Sequence, residues 1–239
     1  MLGLGVLAAG TLLHAAALRG GTVAVVEAVM VTNLALALPA RTLLDRVRPP
    51  APLVVAAVVL AGGIAVFVVA ARPGAGQPEA DARAAAEVIA AGAAVAGLCW
   101  LAAGRVRSGR IAGLALGLAA GTLYGLAGGV LKAVVHDLLH GPAAVITGWP
   151  LWTLAVLGSW AFILHQRAYA RAPLQASLPA LSAANPLAGL AFGTLAFRES
   201  PAHGPVAVLG EVLGMAVIIG SVTMLGRLSR PGLGLPGSA

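Results

Sequence analysis

The sequence predicts an all-α polytopic membrane protein of eight transmembrane helices, and three observations carry that prediction. Hydrophobic residues make up 59% of the 239-residue chain and charged residues 10%, with a mean hydropathy of +0.95. A soluble domain is roughly 45–50% apolar and about 25% charged, so this chain has too few charges to cover a water-facing surface. The apolar residues also fall in stretches of about 20, the length a helix needs to cross roughly 30 Å of hydrocarbon. Those stretches are apolar throughout and rich in Ala and Leu, whereas barrel strands alternate over about 10 residues. The composition excludes a soluble globular enzyme, a disordered chain and a nucleic-acid module.

In chain order, helix A is expected over residues 2–18, B over 22–44, C over 52–71 and D over 83–103. Helix E follows at 111–135, F at 149–168, G at 173–197 and H at 205–225. The breaks carry turn residues: Arg-Gly-Gly at 19–21, Arg-Pro-Pro at 48–50, RPGAGQPEAD at 72–81 and GRVRSGR at 104–110. HDLLHGP at 136–142, YARAP at 169–173 and RESPAHGP at 198–205 complete the set. Residues 227–239, rich in Pro and Gly, are expected to be a disordered tail. No positive charge precedes Arg19, so the first segment reads as a span and not as a cleaved leader. A single cysteine, Cys99, excludes an internal disulfide and a cysteine metal cluster.

The net charge of +7 is an orientation signal. Arg41, Arg46, Arg48, Arg105, Arg107, Arg110, Arg167, Arg171, Arg227 and Arg230 fall on one side of the bundle. Arg19, Arg72, Arg83, Lys132 and Arg198 fall on the other. Ten against five places both termini in the cytoplasm. Trp149 and Trp152 then belong to the outer aromatic belt and Trp100 to the inner one.

Helices B and C match G and H at a constant offset of 152 residues. Asn33 pairs with Asn185, Thr42 with Thr194, Arg46 with Arg198, Pro49 with Pro201 and Gly62 with Gly214. Upstream, Leu13-His14 pairs with Leu164-His165 at an offset of 151. Helix A therefore corresponds to F, B to G and C to H. An advance of five helices is odd, so the two copies insert with opposite orientation. Inverted repeats are the architecture of many secondary transporters, with the substrate near the midplane. On this reading residues 1–71 are an incomplete first repeat, 72–82 a linker and 83–226 a complete second repeat. Two helices are expected before helix A, either upstream of the assigned start or lost by degeneration of the first repeat.

The stretch HQRAYARAPLQASLPALSAANPLAGLAFGTLAFRESP (165–201), with GEVLGMAVIIGSVTML (210–225), resembles the end of an EamA-like member of the drug/metabolite transporter superfamily. GLALGLAAGTLYGLAGGVLKAVV (113–135) resembles the corresponding earlier helix, and both are similar to the NIPA-type magnesium transporter branch. The resemblance covers helices A to H. Its motifs are small residues, prolines and a helix-end glutamate that Glu199 matches; Val47 occupies the repeat-equivalent position, so the pattern is broken there. It implies a ten-helix, two-repeat fold in the bacterial inner membrane, moving a small solute or, in the alternative, a divalent cation. A non-transporting, truncated membrane protein is the other alternative.

Ionisable groups inside a bilayer are costly and mark function by default. Glu27 and Glu211 lie five or six residues into helices B and H. Glu27 reads equally as a proton or cation site and as a protonated glutamate bonded to a neighbouring helix. Lys132 and His14 sit near the outer ends of E and A, where snorkelling or an interfacial hydrogen bond is expected. Asn33 and Asn185 fall near mid-membrane. Pro186, with Pro179 seven residues earlier, predicts a helix discontinuity there. Glu27, Asn33, Asn185, Glu211 and Tyr124 are the candidate substrate-binding residues, although core packing is the stronger expectation for Tyr124. Gly113, Gly117, Gly121, Gly125 and Gly129 form a four-residue repeat that serves helix packing. The stripe drifts about 40° per step, leaving different glycines free to face different neighbours. No phosphate loop, HExxH or carboxylate pair is present, so neither enzymatic activity nor a cofactor or metal is expected. The expected partners are the bilayer, a small-molecule or cation substrate and, as an open alternative, a second copy in a homodimer.

Overall fold

Every element in the computed structural model is helical; it describes residues 2–30, 32, 51–71, 74, 76–172, 174–200 and 204–228. The helices are α1 (Leu2–Gly20), α2 (Val23–Met30), α3 (Ala51–Ala71), α4 (Ala82–Arg105) and α5 (Gly109–Leu139). After them come α6 (Pro142–Thr147), α7 (Trp149–Arg171), α8 (Leu174–Ala196) and α9 (Pro205–Leu228). Among the described residues, four segments are long and apolar enough to cross a bilayer: Ala82–Arg105, Gly109–Leu139, Ser177–Ala196 and Pro205–Met224. Leu12, Val58, Leu98, Val156, Phe162 and Val206 are all exposed, so the outward faces are apolar. Apolar outer faces on spanning-length helices are the features of a helical membrane protein.

α5 is the central helix. It packs most extensively against α8, then against α7, α4 and α1. Leu116, Leu123, Leu126 and Val130 of α5 meet Leu157 and Leu164 of α7 and Phe192 of α8 in one core. A second core joins Leu60, Ile64 and Phe67 of α3 to Met215, Ile218 and Val222 of α9, with Ala28 of α2. Lipid tails are as apolar as leucine, so close backbone approach replaces the hydrophobic effect as the packing force. The glycines supply it. A Cβ on Gly117 would strike the Ser177 carbonyl, one on Gly121 the Leu181 carbonyl and one on Gly125 the Asn185 carbonyl. Gly129 lies against the Phe192 ring. Four glycines of the stripe thus face one neighbour, α8, rather than several. Residues four apart form a ridge inclined to the helix axis, and a crossing partner follows that ridge. Gly113 is buried on the same helix.

Two sequence expectations are corrected. α8 runs without a break through Pro179 and Pro186. Each proline removes one amide donor, but a helix enclosed by neighbours keeps its remaining ladder. The segment 136–139 is the last turn of α5, not a loop; the chain turns only at Gly141, whose φ of +107° a side chain disfavours. At 31 residues α5 is about 46 Å long and exceeds the hydrocarbon thickness.

One end of the bundle gathers the loops around 21, 74, 76–81 and 197–200. The Gln77 amide donates to Phe197 O at 2.6 Å, and the Asp81 amide to Ala196 O at 2.8 Å. Asp81 caps α4, and its bond from the Ala84 amide holds its carboxyl below the usual range. The opposite end holds the α4–α5 turn, where Arg171 Nη1 donates to Ala103 O at 3.2 Å.

Candidate functional site

α2, described over Val23–Met30, carries a carboxylate into a glycine-walled junction. Glu27 is 3% exposed. Its Oε1 shares a 3.1 Å hydrogen bond with His14 Nε2 of α1, and its Oε2 accepts from Asn185 Nδ2 of α8 at 2.8 Å. Gly128 of α5 and Gly189 of α8 form the walls. A Cβ on Gly128 would collide with Oε1, and one on Gly189 would lie 2.9 Å from the Glu27 Cγ. Asn185 is the central residue of α8, so the carboxylate is held at mid-helix level. The other polar atom of that side chain, Asn185 Oδ1, is buried without a hydrogen-bond partner among the described residues.

A second acidic group anchors the start of the same helix. Glu199, 2% exposed, accepts from the amide of Val23 at 3.1 and 3.2 Å, and Val23 is the first residue of α2. The first amides of a helix have no partner within it and carry a partial positive charge, so a carboxylate from 176 residues away caps them. Lys132 Nζ lies 2.6 Å from Glu199 Oε1, donates to Gly21 O at 3.1 Å and stands 4.8 Å from the centre of the Phe197 ring. Gly193 leaves room for Glu199, whose Oε2 a Cβ there would strike. Arg198 holds a φ of +53°, and this left-handed turn lets the Glu199 amide return to Gly193 O at 3.0 Å while its side chain points inward.

A third polar group lies on α7. Tyr124 Oη is 3.4 Å from His165 Nδ1, and the His165 and Tyr169 rings are 4.3 Å apart. Tyr124, Gly128 and Lys132 succeed one another on α5 in four-residue steps of about 6 Å. The three polar groups are therefore stacked along one helix, from its central residue outward.

Of the candidate residues, Glu27 and Asn185 are brought together. Tyr124 faces His165 and makes no bond to them. Glu211 lies on α9, at the head of the row Met215, Ile218 and Val222, and its Oε1 is buried without a partner among the described residues. Asn33 lies outside the described residues, as do Thr42, Arg46, Pro49 and the tail from 229. Trp149, Trp152 and Trp100 are exposed, and Trp100 stacks 5.4 Å from the Arg167 guanidinium. Sequence reasoning missed His14 as a partner of Glu27, and it missed the Lys132–Glu199 pair. The signal was present: the chain's one lysine lies on an apolar helix and needs a counter-charge.

The chain is 29% identical over 188 residues to an uncharacterised protein of Corynebacterium glutamicum, a match covering 78% of this chain and 65% of that protein. It therefore spans less than two thirds of the relative's length. No family model and no solved structure matches.

Proposed function

We propose that the chain is a secondary transporter of the drug/metabolite type, moving a small solute across the bacterial inner membrane by alternating access. The observation that carries this reading is the buried Glu27 carboxylate, bonded from α1 and α8 and enclosed by α5 at mid-helix depth. A membrane-buried acid lined by several helices defaults to a transport role. Eight spans in an inverted repeat, with both termini cytoplasmic, complete the reading. The mutual packing of the repeat mates supports it: α3 lies against α9 and α2 against α8. Gly63 meets Val217, and Gly214 meets Phe67.

Glu27 and Asn185 then bind the solute, His14 orients Glu27, and the Lys132–Glu199 pair holds the outer end of α2. The test is flux in proteoliposomes over a panel of labelled metabolites, amines and Mg²⁺. Wild type is expected to carry at least one solute, and Glu27→Gln and Asn185→Ala to lose most of that flux while remaining folded. Equal flux in wild type and both variants refutes the site; no flux of any solute refutes transport.

A further inference from the structure

We propose that the furrow between α4 and α7 binds an anionic phospholipid, whose headgroup phosphate is held by Arg167 and Arg171. The proposal concerns the lipid around the bundle and stands apart from the transporter reading. α4 and α7 both pack on α5 but scarcely on each other, so a furrow floored by α5 runs between them. Its mouth lies where α4 ends at Arg105, α5 begins at Gly109 and α7 ends at Arg171. These ends are level: a Cβ on Gly109 would lie 2.9 Å from the Arg171 carbonyl oxygen.

Two arginines of α7 span that mouth, and α4 holds both. Arg171 Nη1 donates to Ala103 O at 3.2 Å. Ala103 belongs to the last turn of α4, where carbonyls lack a partner within the helix and carry partial negative charge. One turn earlier, the Arg167 guanidinium stands 5.4 Å from the centre of the Trp100 ring. Side chains four apart on a helix are neighbours, about 5–6 Å apart at Cβ, so one phosphate can reach both. Neither partner is a carboxylate. The two guanidiniums are therefore fixed in place without being neutralised, and a stacked guanidinium keeps the in-plane N–H donors that match a phosphate.

The surrounding charge selects the kind of lipid. Arg105, Arg107 and Arg110 are exposed around the α4–α5 turn, and residues 95–115 and 160–172 contain no Asp or Glu. Among the described residues none of the five arginines has an ion-pair partner. A basic pocket between spanning helices at the membrane surface suits an anionic headgroup. A zwitterionic headgroup brings its own ammonium, which the three turn arginines repel. Ile163, four residues before Arg167 and half-exposed, continues the same ridge deeper along α7 and gives an acyl chain an apolar contact that a free phosphate cannot use.

The experiment titrates the full chain, purified in a non-ionic detergent, with phosphatidylglycerol or phosphatidylcholine and counts bound lipid by native mass spectrometry. Phosphatidylglycerol is expected to bind about tenfold more tightly than phosphatidylcholine, and millimolar inorganic phosphate is expected not to displace it. Arg167→Ala and Arg171→Ala should each weaken phosphatidylglycerol about fivefold, and the double variant about 25-fold. Trp100→Leu keeps every charge but releases Arg167, and should weaken the lipid about threefold. Arg83→Ala removes an equal charge from the far end of α4, where Arg83 is exposed and paired with Glu87 at 3.1 Å, and should leave binding unchanged. Equal affinity for the two lipids overturns the proposal, and that comparison uses wild type alone, so it does not depend on any variant folding. Displacement by inorganic phosphate, or an equal loss in Arg83→Ala and Arg171→Ala, overturns it as well.

Discussion

Adding one methyl group at Gly125 tests whether α5 and α8 approach as closely as described. In Gly125→Ala the new Cβ would lie 2.8 Å from the Ala188 Cβ and 2.8 Å from the Gly189 amide nitrogen, and nearer still to the Asn185 carbonyl. Carbon atoms in good contact sit about 3.5–4.0 Å apart, so the helices must separate by roughly 1 Å. Two of the three opposing atoms are backbone, which has no rotamer to yield. A 0.5–1 Å gap forfeits about a quarter to a half of each contact's attraction, and this loss falls on the neighbouring contacts at Gly121 and Gly129 too. Overpacking of this kind costs about 1–3 kcal/mol. Gly158→Ala on α7 is the matched control, because a Cβ there meets nothing within 4 Å. Alanine's better helix propensity makes that variant neutral or up to about 1 kcal/mol more stable. Unfolding in mixed micelles, followed by tryptophan fluorescence, measures both. Gly125→Ala is expected to lie about 1–3 kcal/mol below Gly158→Ala. If the two variants unfold together, the close approach of α5 and α8 is wrong, and with it the walls around Glu27.

Two further substitutions probe the first turn of α2. Lys132→Met leaves Glu199 buried without its cation and should cost about 3–5 kcal/mol in the same unfolding assay; adding Glu199→Gln to it should restore part of the loss, and no restoration would refute the pairing. Arg198→Gly relieves a left-handed backbone conformation that costs a side-chain-bearing residue about 1–2 kcal/mol, so it should stabilise the fold by about 1 kcal/mol, less the weak exposed contact at 3.7 Å to Asp81; a destabilised variant would show that the turn is not strained.

The parts of this structure legible in the sequence are those written locally. Seven of the predicted helix positions reappear within a few residues because each begins and ends at Gly, Pro or Arg clusters that one segment contains. The function of the glycine stripe in packing is local too, since a four-residue period on an apolar helix has few other uses. Its single partner was not legible, because drift on an ideal helix says nothing of how a neighbour crosses. The prolines of α8 misled for a related reason. Pro186 read alone predicts a break, and it is the enclosure by α5 that keeps the helix continuous.

The candidate site was half legible. Glu27 and Asn185 stand out singly as polar residues in apolar runs, but 158 residues separate them and no periodicity connects them. The pairing of Lys132 with Glu199 spans 67 residues and crosses from one helix to the turn after another. Sequence places each charge, and charge neutrality demands a partner, yet only the packing selects which.

That packing ties the two carboxylates to one rigid unit. Val23, held by Glu199, and Glu27, held by His14 and Asn185, are four residues apart, about 6 Å along α2. A single helical turn cannot stretch, so a movement that frees Val23 from Glu199 must carry Glu27 with it. The glycines that let each carboxylate in, Gly193 for Glu199 and both Gly128 and Gly189 for Glu27, belong to α5 and α8. Separation of α5 from α8 would therefore open the Glu27 site and loosen the anchor of α2 together. Glu27 and the Lys132–Glu199 pair are therefore mechanically linked through one turn of α2.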